Sequence, residues 1–252
     1  MMKRFLAAAL ALALVIGLGG CANEPQRRET EPVSTPTNAA TAPSVPTTEQ
    51  TEPPTVPTEP ATVPTEPEPA NDDFVRILDY IPQARQMLPY ATTENFTGQV
   101  IYEFTDAYLR YGAVKKLAAA AAELEAMGLG LLIWDGYRPV YAQAKLYDVC
   151  PDPTYVSPPG VGSQSHCRGR AVDLTLFDLE TGEPMVMPTG FDDFTKYADR
   201  DYNDVSPEAA ANAVLLEDVM QRHGFTGYRA EWWHYTDTDN YPIEETFDPA
   251  LI

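Results

Sequence analysis

Large apolar residues are unevenly spread along the 252-residue chain. Phe5 to Leu18 is one apolar run, Ala22 to about Asp72 holds almost none, and beyond Asp73 they recur with readable periods. Between Asp106 and Met127, the positions Ala113, Leu117, Ala120, Ala121, Leu124 and Met127 fall at helical spacing. The alanines at 118–122 favour a helix, and Gly128 supplies its stop. Gly130 to Trp134 reads as a buried strand running into the turn Asp135-Gly136-Tyr137-Arg138-Pro139. Pro139 suits the first turn of a second helix, Val140 to about Asp148.

Further along, Arg170 to Leu176 alternates. Ala171, Asp173 and Thr175 share one face of a predicted strand, and Val172, Leu174 and Leu176 the other. Thr181-Gly182 reads as a hairpin turn returning through Met185-Val186-Met187. Ser206-Pro207-Glu208 has the chemistry of a helix start, with an N-cap, an N1 proline and a first-turn acid. That helix runs to His223 and stops at Gly224, and Tyr228 to Tyr235 is the last strand-like piece. Helix, strand, turn and helix in this order predict α+β architecture over 73–252.

Composition changes the picture at the N-terminus. Lys3 and Arg4 precede the apolar run, which is too short for a comfortable membrane span and reads as a secretory signal over 1–21. Leu18-Gly19-Gly20-Cys21 resembles a bacterial lipobox, with cleavage before Cys21 and its acylation; an ordinary signal peptide with an incidental cysteine is the alternative. Two acyl chains would anchor the protein to a membrane where one would not. Residues 22–72 read as a disordered linker rich in Pro, Thr and Glu, a composition that cannot bury enough surface to offset its ordering entropy. At about 3.1 Å per residue such a stalk reaches on the order of 150 Å when extended. The net charge of −20 argues against a nucleic-acid partner. Three cysteines are too few for a disulfide scaffold.

The chemistry concentrates in two stretches. His166 and Asp173 lie seven residues apart with Gly169 between them, and Glu231-Trp232-Trp233-His234 follows near the C-terminus. Two imidazoles and one carboxylate form the three-ligand pattern of a catalytic zinc site with one position open. Glu231 lies where a metallopeptidase needs a general base. These four polar residues are embedded among Val, Leu and Trp, and a buried charge needs a partner, which a metal supplies. One feature conflicts with a regular strand: residues three apart face opposite ways, so the segment from Glu231 to His234 must bulge, bend or end. His223, at a helix C-terminus, reads as a structural cation facing the helix dipole.

The pair His166-x-x-Gly169-x-Ala171-x-Asp173 and Glu231-Trp232-Trp233-His234 resembles the signature of zinc D,D-peptidases. Tyr90 to Gly98, Trp134 to Pro139, Asp173 to Leu176 and Phe191-Asp192 narrow the resemblance to VanX-type D-alanyl-D-alanine dipeptidases. It spans about Phe74 to the C-terminus and implies a zinc D,D-peptidase, hedgehog-like fold: an α+β single domain with a small, mostly antiparallel sheet flanked by helices. It also implies one zinc ion per chain on His166, Asp173 and His234, with Glu231 as base and Arg138 steadying the oxyanion. Asp192 and Tyr90 would hold the substrate ammonium. The family usually has serine two residues before the first histidine, where it helps bind the substrate carboxylate. Here Gln164 stands there, between Ser163 and Ser165, and its amide offers a longer donor arm. Gln164 and Ser165 are therefore candidate substrate contacts.

The implied function is extracytoplasmic hydrolysis of D-Ala-D-Ala, or of a peptidoglycan-derived D,D-dipeptide, in wall turnover. The alternatives are a D,D-carboxypeptidase acting on peptidoglycan stems and a non-catalytic wall-binding module that keeps zinc. Cys150 and Cys167 are either a disulfide pair or two free thiols.

Overall fold

The strand expected over 130–134 lies inside the sheet that carries the site. In the computed structural model, which describes residues 67–252, it is β4, Leu129–Asp135. β5 (Ala171–Asp178) pairs antiparallel with β4, and β7 (Glu231–Asp237) pairs antiparallel with β5. β6 (Phe225–Tyr228) closes one edge, and the two-residue β2 (Arg85–Gln86) adds to the other in parallel. The sheet order is β2-β4-β5-β7-β6, so the expected mostly antiparallel sheet is present. β1 (Phe74–Arg76) and β3 (Tyr108–Arg110) form a separate antiparallel pair, and a one-turn helix α1 (Ile77–Tyr80) follows β1.

Three longer helices flank the sheet: α2 (Tyr111–Glu125), α3 (Val140–Val149) and α4 (Pro207–Arg222). The alanine-rich stripe of α2 buries Ala113, Leu117, Ala120 and Leu124 in one cluster with Leu131 and Ile133 of β4 and Val172, Leu174 and Leu176 of β5. α4 adds Leu216, Val219 and Met220 to the same cluster. Burying one such leucine is worth about 2 kcal/mol, so this face fixes how the helices seat. The alternation in β5 leaves Asp173 on the opposite face. There a smaller cluster of Tyr90, Ile101, Tyr102, Phe104, Ala142, Leu146 and Val156 packs around α3. The start of α4 is as its sequence implies: Ser206 Oγ accepts from Ala209 N at 3.1 Å.

Three expectations change. The first long helix starts at Tyr111, not Asp106, because Tyr108 to Arg110 is extended and pairs with β1. The return after Thr181-Gly182 is no strand. Asp178 Oδ1 closes the turn on Thr181 N at 2.7 Å, but only one bridge, Phe177 to Pro184, follows. A proline has no N–H to extend a ladder. Tyr228 to Tyr235 is a hairpin rather than one strand, turning at Arg229-Ala230. Chain read as linker already contacts the domain: Asn71 O accepts from Gly112 N, and Asp72 O from Arg110 Nη1.

Candidate active site

Three elements bring the polar residues together on the face of the sheet away from α2. The first is the end of β4. Asp135 is fully buried. Its Oδ1 accepts from Tyr102 Oη and Gly136 N, each at 2.8 Å. Its Oδ2 accepts from Arg138 Nη2 at 2.7 Å and Nε at 3.1 Å. Arg138 Nη1 donates to Gln143 Oε1 at 2.9 Å, and the Gln143 amide nitrogen donates to the Ser157 carbonyl at 2.8 Å. A carbonyl only accepts, so the Gln143 amide cannot flip and the guanidinium is locked in place. It lies 3.9 Å from Asp173.

The second element is the 3-10 turn His166–Arg168, ended by Gly169 in the left-handed region at φ +68°. A Cβ on Gly169 would stand 2.3 Å from the Phe74 ring, so the glycine is required by close approach as well as by backbone. The turn sets His166 Nδ1 2.7 Å from the Gly136 carbonyl. Nδ1 must therefore carry the proton, and Nε2 offers its lone pair inward.

The third element is the β5–β7 pair. Asp173 and His234 stand directly opposite each other, with His234 Nδ1 2.9 Å from Asp173 Oδ1. His166 Nε2 lies 3.2 Å from His234 Nδ1 and 3.3 Å from Asp173 Oδ2. One donor atom from each of the three residues falls within 4.8 Å of the others. This donor set suits zinc: two neutral imidazole nitrogens, a carboxylate oxygen, and a backbone carbonyl fixing one ring's tautomer. Burial lowers His234 below an ordinary imidazole, which keeps it neutral. Burial works against both charges, but with no metal bound the facing Asp173 raises His166 above an ordinary imidazole, and the proton His166 then carries, with the His234 ring, holds Asp173 well below the usual range.

Glu231 completes the group, its Oε2 3.9 Å from His234 Nδ1. Burial, reinforced by Asp173 and Asp192, pushes its carboxyl well above the ordinary range. Tyr90 Oη donates to Asp192 Oδ2 at 2.6 Å, and burial lifts Asp192 to about 7. All of these line one cavity of about 130 Å³.

Gln164, at φ +45°, also lines the cavity, but its amide nitrogen donates to Pro158 O at 2.7 Å and Val161 O at 3.3 Å. Both amide hydrogens hold the loop, so the longer-donor expectation for a substrate carboxylate does not fit this geometry. Ser163 and Ser165 line the same cavity. Sequence reasoning missed Gln143, which carried no motif, and the anchoring role of Asp135 and Tyr102. His223 caps α4 and pairs with Glu123 at 2.7 Å. Cys150 and Cys167 are both free, and burial lifts the Cys167 thiol to about 11. Cys21 and the signal segment lie outside the described residues.

The D-ala-D-ala dipeptidase family profile matches residues 70–249. The chain belongs to this family. It is 38% identical over 173 residues to the D-alanyl-D-alanine dipeptidase of Escherichia coli K12, covering 68% of this chain and 89% of that protein. The dipeptidase of Enterococcus faecalis V583 is 33% identical over 177 residues, covering 63% of this chain and 87% of its own. Among solved structures, the vancomycin-resistance D,D-dipeptidase VanXYg with a D-Ala-D-Ala phosphinate analogue matches at TM-score 0.34 and 18% identity, over 54% of this chain and 52% of its own.

Proposed function

We propose that this family member hydrolyses D-Ala-D-Ala, or a close D,D-dipeptide, using one zinc ion held by His166, Asp173 and His234. The observation that carries this reading is the shared cavity: the three ligands, a raised glutamate, a locked arginine and the Asp192–Tyr90 pair open onto the same 130 Å³ of space. When bound, zinc supplies a Lewis acid and lowers the pKa of water. Glu231 takes a proton from the attacking water and delivers it to the departing amine. Arg138 donates to the charge that develops on the carbonyl oxygen. Asp192, with Tyr90 behind it, receives the substrate ammonium, and Ser163 and Ser165, which line the same cavity, offer hydroxyls to the substrate carboxylate.

The test offers zinc-loaded protein D-Ala-D-Ala and the same dipeptide N-acetylated. The expected result is zinc-dependent hydrolysis of the free dipeptide, lost on chelation and restored by zinc. The acylated form should be slower by on the order of 100-fold, because a desolvated charge pair is lost. Equal rates on the two would instead indicate a carboxypeptidase. Absence of hydrolysis of either would refute the assignment.

We also propose that the domain works outside the cell on peptide from wall turnover, tethered through acylated Cys21 and the 22–72 stalk. The support is sequence alone: the positive start, the apolar run and Leu18-Gly19-Gly20-Cys21. Among the described residues no helix is long and apolar enough to cross a membrane. Cys21→Ala should move the protein from the membrane pellet to the soluble fraction; an unchanged distribution would count against the anchor.

A further inference from the structure

Glu231 and His234 face one cavity although they lie three apart on one strand, and the β6–β7 register shows how. Gly227 pairs with Tyr235 and the next residue, Tyr228, pairs with Glu231. Between those two pairs Trp232, Trp233 and His234 stand opposite no residue of β6. Such a bulge leaves strand carbonyls without ladder partners, in a part of the fold where Trp232 and Trp233 are fully buried. Unpaired buried carbonyls are costly.

One side chain supplies partners there. Arg200 follows the 3-10 turn Lys196–Ala198, and its backbone N–H donates to the Arg229 carbonyl at 3.1 Å. Its Nη2 donates to Trp232 O at 2.9 Å and to His234 O at 3.0 Å. Its Nε donates to Tyr228 O at 2.9 Å, on the other side of the hairpin. Nη1 pairs with Glu217 of α4 at 3.0 Å, and the guanidinium lies over the Tyr235 ring at 4.6 Å. A Cβ on Gly227 would stand 2.2 Å from Arg200 Cζ, so β6 is bare where the guanidinium enters.

We propose that Arg200 is the positioning residue for the catalytic part of β7: its guanidinium replaces the missing stretch of β6 and holds the bulge that turns Glu231 and His234 to one metal. Arg200 does not touch the reacting atoms. It fixes the carbonyl of ligand His234 itself, and the carbonyls on either side of Glu231 at Tyr228 and Trp232. A planar fork of donors suits several carbonyls at fixed angles, which a lysine ammonium does not reproduce. The catalytic consequence rests on the zinc dipeptidase reading above; the effect on metal binding does not.

The experiment compares Arg200→Met and Arg200→Lys with wild type on full-length protein. Zinc affinity is measured by chelator competition, the visible spectrum of the cobalt-substituted protein reports ligand geometry, and kcat and KM are measured on D-Ala-D-Ala. Zinc affinity should fall by about 10- to 100-fold in both variants, with an altered cobalt spectrum. By the same reasoning kcat should fall about 10-fold or more while KM changes little, because Asp192 and Tyr90 are untouched. Arg200→Lys, which keeps the Glu217 pair, should recover melting temperature without recovering zinc affinity. A folded variant with wild-type zinc affinity and cobalt spectrum overturns the proposal, even if it melts earlier, because the arginine would then be only a structural tie. If Arg200→Met does not fold, Arg200→Lys decides by the same criterion. If wild type binds zinc but leaves the dipeptide intact, the substrate reading fails, and the zinc and cobalt measurements still decide the role of Arg200.

Discussion

Replacing Glu231 by glutamine should lower kcat on D-Ala-D-Ala by about 10²- to 10⁴-fold, the usual worth of a positioned acid–base group. Zinc content should stay near one per chain, because the His166, Asp173 and His234 donors are untouched. Glutamine keeps the shape of the side chain but cannot take a proton. Its melting temperature should not fall, since the substitution removes a carboxyl that burial already disfavours as an anion. Steady-state kinetics with metal analysis on the same preparation checks this; a variant of near wild-type kcat would remove Glu231 from the chemistry. The pH profile offers a further check. Glu231 must be ionised to act, and burial together with Asp173 and Asp192 raises its carboxyl. Bound zinc pulls the other way, and kcat should show an acid limb, activity being gained as pH rises, that Glu231→Gln abolishes. A limb that persists in the glutamine variant would mean that another group controls it.

What the sequence made legible follows period and chemistry. The alternation of β5 put Val172, Leu174 and Leu176 into the core and Asp173 on the other face, as the structure has it. The spacing around Gly169 and the Glu231–His234 pair picked out residues that the structure brings together, and the conflict at Glu231 to His234 required a bulge, a bend or an end, of which the structure has a bulge. The device that maintains the bulge was not legible. Arg200 sits in a loop without periodicity, and its partners are main-chain carbonyls, which every residue possesses. Gln143 was hidden for a similar reason, since its two bonds go to a side chain five positions back and to a loop carbonyl. Gln164 was misjudged because its amide was read for what it could offer a ligand. Its left-handed backbone turns the side chain to the loop carbonyls of Pro158 and Val161 instead.

Arg138 has an observed structural duty and a proposed chemical one, and two substitutions should separate them. Arg138→Met should destabilise the domain by about 3–5 kcal/mol, because it leaves the Asp135 carboxylate buried without its cation. The same change should lower kcat by about 10²- to 10³-fold through loss of the donor aimed at the carbonyl oxygen. Adding Asp135→Asn removes the stranded charge. The asparagine side chain can still accept from Gly136 N and Tyr102 Oη, so most of the stability should return in the double variant. The lost activity should not return, since no guanidinium has been restored. Chemical denaturation and kinetics on the single and double variants measure the two effects independently. Recovery of kcat along with stability would mean that Arg138 only braces Asp135 and the loop bearing Gly136, whose carbonyl orients His166. Loss of kcat that persists in a fully stable double variant assigns the guanidinium to the transition state, where its locked bonds to Asp135 and Gln143 mean that little reorganisation accompanies the reaction.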